Sequence, residues 1–273
     1  MIADPQARHP APHHARRTFE LSAGAAEHCL LRLTMPVARA TVCSHVGEML
    51  DPAAFIIANT KLLSPPLLPE IRLHLADESL AVWQKTEDAL GLVDSAPPYW
   101  AFAWAGGQAL ARYLLDTPAL VAGQRVLDLG SGSGLSAIAA AKAGAAFVLA
   151  NDIDPMSLAA TTLNAAANGV MVATSAQDLI SPRSRTAEPP EQRSKERPFG
   201  VIMVGDLFYE RQLAENVLAY IENAVANGAT VLIGDPQRNY FPKGRFTTAA
   251  EYSVPVTREL EDAEFKLTSV WRL

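Results

Sequence analysis

From Arg125 onward, short apolar runs alternate with longer amphipathic segments. This is the pattern of strands joined by crossover helices into a parallel sheet. The runs RVLDLG (125–130), FVLAND (147–152), VMVATS (170–175), VIMVGD (201–206) and ATVLIGD (229–235) read as strands. Between them LSAIAAAKAG reads as a helix ending at Gly144. A second begins at the Asp154 cap, with Pro155 in its first turn, and closes at Gly169. In a third, QLAENVLAYIENAVANG, Leu213, Val217, Ile221 and Val225 share one face as sheet-facing core. YSVPVTREL and FKLTSVWRL read as a closing antiparallel hairpin around the turn EDAE.

Upstream, Asp51-Pro52 marks a helix start, and Pro69 through Leu90 reads as a helix with Ile71, Leu75, Leu80 and Trp83 as its apolar contacts. Pro97 and Pro98 bar a regular helix, and Gln108 to Leu115 forms one that stops at Thr117-Pro118. Three parts are expected: a poorly patterned extension over 1–50, a helical segment over 51–117 packing on the core, and a cofactor-binding core over 118–273. The polar stretch at 181–198 is expected to be a solvated surface loop.

Composition narrows the classes. A hydrophobic content of 49% supports a sizeable core, and 23 Lys+Arg against 29 Asp+Glu leave a formal charge of −6, which disfavours a nucleic-acid partner. No apolar run is long enough to span a membrane, and the opening residues lack the apolar region of a secretory signal, so the cytoplasm is the expected location. Two cysteines make no disulfide framework; the pairs His28/Cys29 and Cys43/His45 could be imagined as zinc ligands, but their spacing is not that of a usual knuckle. No zipper pattern is visible, so a monomer is expected.

The chemistry concentrates in Asp128-Leu129-Gly130-Ser131-Gly132-Ser133-Gly134. A strand ending in an acid, followed by alternate glycines and a helix, lets backbone approach a ligand closely, in the manner of a Rossmann-like site. Gly132-x-Gly134-x-x-Ala137 also fits the dinucleotide fingerprint, with Asp152 placed as the ribose-binding acid. Asp128 and Gly130 favour the other cofactor class. An extra carboxylate here repels a pyrophosphate, whereas the ammonium and sulfonium of S-adenosylmethionine welcome it. On this reading Asp128, Gly130, Ser131, Gly132 and Gly134 surround the methionine half, Asp152 takes the ribose hydroxyls with Ile153 beside it, and Asp178 meets the adenine edge or serves as a cap. No cluster points to a metal or a covalent nucleophile.

The glycine loop is similar to that of the seven-β-strand methyltransferases. FIIANTKLLSPPLLPEIRLHLADE, PPYWAFAWAGGQALARYLLD, LDLGSGSGLSAIAAAKAGA, NDIDP and GDLFYE, in that order, more narrowly resemble the electron-transfer-flavoprotein beta-subunit lysine methyltransferases and their bacterial relatives, from about Asp51 to Leu273. The resemblance implies an α/β, Rossmann-like fold: a mostly parallel seven-strand sheet with a reversed last strand and helices on both faces. It also implies S-adenosylmethionine as cofactor, the flavoprotein beta subunit as acceptor, and a ribosomal stalk protein as a second acceptor in bacteria. Asp206-Leu207-Phe208-Tyr209 matches the family's Asp-x-x-Tyr signature after the fourth core strand. Asp206 is then expected to orient the lysine amine, with Tyr209 a wall of the channel or a hydroxyl contact. Trp100, Phe102 and Trp104 either narrow the channel or belong to the core, and Trp104 is counted with the cofactor residues. The rival readings are a small-molecule methyltransferase, a nicotinamide-dependent oxidoreductase and a non-catalytic binding module.

Overall fold

The computed structural model describes residues 51–77, 79–90, 97–181 and 198–273. The readings made for 1–50, including the cysteine–histidine pairs, and for most of the 181–198 loop lie outside the described residues.

Helix α1 (Pro52–Asn59) starts as its sequence asks: the Asp51 carboxylate accepts from the Ala53 N–H, and Pro52 occupies the first turn. The next stretch departs from expectation. Pro69–Leu90 is not one helix. Residues 73–75 form a strand, β2 (Leu73–Leu75), paired antiparallel with β1 (Lys61–Leu63), and only the second half is helical, as α2 (Ser79–Leu90). The four-residue step from Ile71 to Leu75 looked helical, yet Ile71 and Leu73 also sit two apart and are both buried, the spacing of a strand. The hairpin is tied to the rest by backbone donors: His74 N–H to the side-chain Oδ1 of Asn164 and Arg72 N–H to the side-chain Oδ1 of Asn168.

Helix α3 (Ala105–Asp116) begins three residues earlier than its pattern suggested. The remaining elements are β3 (Arg125–Leu129), α4 (Leu135–Lys142), β4 (Phe147–Asn151), α5 (Pro155–Ala167), β5 (Ala173–Ser175), β6 (Val201–Gly205), α6 (Arg211–Ala226), β7 (Thr230–Asp235), β8 (Thr247–Pro255), α7 (Arg258–Glu261) and β9 (Phe265–Arg272). Two boundaries differ from expectation. The strand after α5 that was read over 170–175 pairs only at 173–175, and the stretch read as the strand 252–260 begins at Thr247 and gives way to α7.

Seven strands form one sheet in the order β5-β4-β3-β6-β7-β9-β8. The neighbours from β5 to β7 pair in parallel, and β9 alone runs against its neighbours β7 and β8. The expected fold class is therefore the observed one. Alternation along the strands assigns each side chain to a layer: Val126 and Met203 pack with Leu110, Leu114 and Ile138 of α3 and α4, while Leu127, Leu129, Ile202 and Val204 pack with Val217 and Ile221 of α6. The sheet is thus apolar on both faces, as crossover helices require. The chain runs from β3 to β4 and β5 on one side and then returns from β5 to β6 on the other side of β3, so a crevice opens beyond the carboxyl ends of these strands.

Candidate active site

That crevice holds a cavity of about 900 Å³. The described residues at its wall include each of the eleven positions singled out in the sequence except Gly134. Gly134 lies behind the loop as the left-handed cap of α4, where a Cβ would come within 2.7 Å of the Thr161 hydroxyl. Gly130 likewise backs onto Leu207. Gly132 differs: at φ +51° its missing Cβ would meet only the Tyr99 carbonyl oxygen, at 3.8 Å, so this turn leaves open space on the cavity side. Beside it the Ser131 hydroxyl is buried with no hydrogen-bond partner among the described residues.

Asp128 lies at the cavity wall and also serves a helix start. Its position on β3 turns it toward α4, where Oδ2 accepts from the Ala137 N–H at 3.0 Å. Burial pushes its carboxyl up to about 7, with the nearby Asp152 adding to the rise. It caps α4 and borders the cavity, carrying only part of a charge near neutral pH. Asp152, one residue beyond β4, accepts from Gly132 N–H (2.9 Å) through Oδ2 and from Asp154 N–H (3.0 Å) through Oδ1, so it joins the glycine turn to the start of α5. Burial raises its carboxyl too. Ile153 stands 71% exposed at the wall, an apolar face with nothing packed over it. Asp178 Oδ1 accepts from the Ile180 and Ser181 N–H groups, the capping role weighed for it, and these bonds hold its carboxyl below the usual range.

At the other end of the cavity Trp104 donates its indole N–H to the Tyr99 carbonyl oxygen, and the Tyr99 ring lies 5.3 Å from that of Tyr209. Burial pushes the Tyr209 phenol up, so it stays protonated and acts as a donor. Trp100 and Phe102 touch the cavity but are mainly core, packed with Ile56 and Met156. Asn239 lies with Tyr209 and Arg238 around a smaller recess of about 190 Å³, while the Tyr240 ring receives the Arg211 guanidinium at 5.1 Å.

Asp206 also differs from expectation. It follows β6 with φ +58°, a conformation uncommon outside glycine but tolerated by Asp. Oδ2 accepts from Gly107 N–H at 2.8 Å, which caps the N-terminus of α3 across 99 residues and explains that helix's early start. Oδ1 accepts from Arg238 Nε (2.9 Å) and Nη2 (2.6 Å). The carboxylate expected to meet an amine alone is already paired. Arg238 is the residue that sequence reading missed, together with its second partner, Glu261 Oε1 at 2.8 Å. The available signal was a single arginine just past β7 in a region whose strand ends, Asp206 and Asp235, are both acidic.

The family model of ribosomal protein L11 methyltransferase (PrmA) matches residues 109–203. The electron transfer flavoprotein beta subunit lysine methyltransferase of Mus musculus is 37% identical over 235 residues, covering 83% of this chain and 86% of that protein. The chain belongs to this lysine methyltransferase family. The Xenopus laevis member is also 37% identical, over 226 residues, covering 81% and 86%. Among solved structures, a ribosomal protein L11 methylase from Lactobacillus delbrueckii subsp. bulgaricus is similar at 24% identity, covering 63% of this chain and 80% of that one, with a TM-score of 0.41. Family membership makes the protein a methyltransferase.

Proposed function

We propose that the protein transfers a methyl group from S-adenosylmethionine to lysine side chains of an electron-transfer-flavoprotein beta subunit. One observation carries this: a single cavity joins the Ser131–Gly132 turn, with Asp152 and Ile153, to the Tyr99–Trp104–Tyr209 aromatics.

The residues present suit the donor. The unpartnered Ser131 hydroxyl and the open side of Gly132 would take the methionine half, the Asp152 carboxylate the ribose hydroxyls, and the exposed face of Ile153 the adenine. When bound, S-adenosylmethionine supplies a methyl on a sulfonium, whose carbon–sulfur electron pair leaves with sulfur as the amine nitrogen forms the new bond. Tyr99, Trp104 and Tyr209 would enclose the lysine stem and exclude water from the reacting pair. Asp206, reached at the end of β6, would orient the amine from a carboxylate already bonded to Gly107 and Arg238.

The test is transfer of radiolabelled methyl by the purified protein to the beta subunit from the same cell, with a ribosomal stalk protein and a metabolite fraction as comparison acceptors. Label on the beta subunit at a lysine located by mass spectrometry is the expected result. Label confined to metabolites would move the reading to a small-molecule methyltransferase.

A further inference from the structure

We infer that Arg238 sets the charge of the acceptor end of the cavity: its guanidinium cancels the Asp206 carboxylate so that an amine seated there is held neutral and nucleophilic, with Glu261 as the positioning residue that keeps the guanidinium in place. This deepens the lysine reading above and rests on it.

A lysine arrives as an ammonium and must release its proton before its nitrogen can attack. A solitary buried carboxylate at that point would stabilise the ammonium and oppose the release. The site does not offer one. Arg238 reaches Asp206 with two donors and Glu261 with a third, and the three belong to different parts of the fold: the end of β6, the loop after β7, and α7. The other groups facing Arg238 are Asp235 at the end of its own strand, whose Oδ1 accepts the Arg238 backbone N–H at 2.7 Å, and the face of Trp104 at 5.5 Å. Lys266 of β9 stands 3.5 Å from Glu261. Two acids, Asp206 and Glu261, are thus matched by two cations, Arg238 and Lys266, and Asp235 is pushed by burial and by Asp206 up to about 7. Asp152 and Glu210 also border this end of the cavity and are common to every variant, so the pairing of Arg238 with Asp206 is what sets the difference an incoming ammonium meets, and the guanidinium lies in the cavity wall. Burying that group costs desolvation, and an apolar side chain would fill the space at less cost, so the arginine is there for its charge.

A purely structural clasp and a charge-setting role are separated by the sign of their effects. If Arg238 and Glu261 only hold three elements together, breaking the pair from either side lowers the rate and leaves the pH profile in place. If charge is what matters, the two neutral variants move the profile in opposite directions. The experiment measures single-turnover methylation of the beta subunit by the full chain between about pH 6 and 10, for the wild type, Arg238→Gln, Arg238→Lys and Glu261→Gln. Removing the unit positive charge from the cavity wall should raise the acid limb of Arg238→Gln by about one to two pH units. Glu261→Gln should lower it, by less because the carboxylate lies farther off. Arg238→Lys should lose rate without moving the limb, and it and Glu261→Gln still decide the matter if Arg238→Gln does not fold. Superimposed profiles, or shifts of the same sign, would overturn the inference while the lysine reading stands. A wild type that labels no beta subunit at any pH would refute both.

Discussion

Gly106 and Gly107 are neighbours in the first turn of α3, and the same substitution should affect them in opposite directions. A Cβ on Gly106 would stand 2.1 Å from the Gly234 carbonyl oxygen and 2.7 Å from the Asp206 carboxyl carbon. Ordinary contact is about 3.5 Å, so a strand carbonyl in the middle of the sheet would have to retreat by more than about 1 Å. Overpacking of this kind costs about 1–3 kcal/mol, occasionally more, and the roughly 1 kcal/mol that alanine gains over glycine in a helix offsets part of it. A Cβ on Gly107 meets nothing nearer than Leu135 at 4.0 Å, so there the helical gain of about 0.5–1 kcal/mol is uncompensated. Gly106→Ala should therefore lower the unfolding midpoint by several degrees, and Gly107→Ala should raise it by about 2–4 °C. Gly106→Ala should also cut methyl transfer, because the strand it displaces carries the Gly234 carbonyl that accepts from Asp206 N–H. Thermal unfolding by circular dichroism reads both shifts. Two shifts of the same sign would show that the close crossing of α3 over β7 does not set the position of Asp206.

Asp152→Ala should weaken S-adenosylmethionine binding about ten- to a hundredfold, the worth of hydrogen bonds to a charged acceptor, as measured by calorimetry; unchanged affinity would remove Asp152 from the ribose site. Asp128 gives a pH dependence of stability. With its carboxyl at about 7 in the folded protein, against 3.8 as its ordinary value, the folded form keeps a proton that the unfolded chain has released between those values. Stability from this group is therefore full below about pH 4 and falls as pH rises through 7. Asp128→Asn, which keeps an acceptor for Ala137 N–H, should match the wild type near pH 4 and exceed it by about 4 kcal/mol at pH 8 in urea unfolding. An equal difference at both pH values would show that the carboxyl is not held protonated.

The glycine turn at one end of the cavity was legible in the sequence because its geometry is local. One strand, one glycine turn and one helix start place Ser131, Gly132 and Asp152 through backbone constraints that a short stretch of chain carries with it. The parallel strands were legible for a similar reason: burial on both faces leaves near-continuous apolar runs such as Val201–Val204. The misread stretch around Leu73 failed because a three-residue strand contains too few positions to separate a period of two from one of 3.6. The acceptor end failed for a different reason. Arg238 meets Asp206 across 32 residues and Glu261 across 23, and Tyr99 meets Tyr209 through the fold alone. Nothing in the neighbourhood of any one of these side chains announces its partner.

This difference bears on how the two ends respond to change. Asp206 is held on three sides: its N–H by the Gly234 carbonyl, one carboxylate oxygen by α3, the other by Arg238. The positive φ it adopts costs about 1 kcal/mol or more, and it persists because those bonds fix the residue from all three elements. A substitution at any of the three therefore reaches the acceptor pocket through the packing of the sheet, so at this end stability and transfer rate should fall together. At the glycine-turn end the Ser131 hydroxyl and the Ile153 side chain have no comparable partners among the described residues. Replacing either removes something from the ligand and little from the fold. The glycine-turn end of the cavity can thus be altered one residue at a time, whereas the end around Asp206 changes only as a unit.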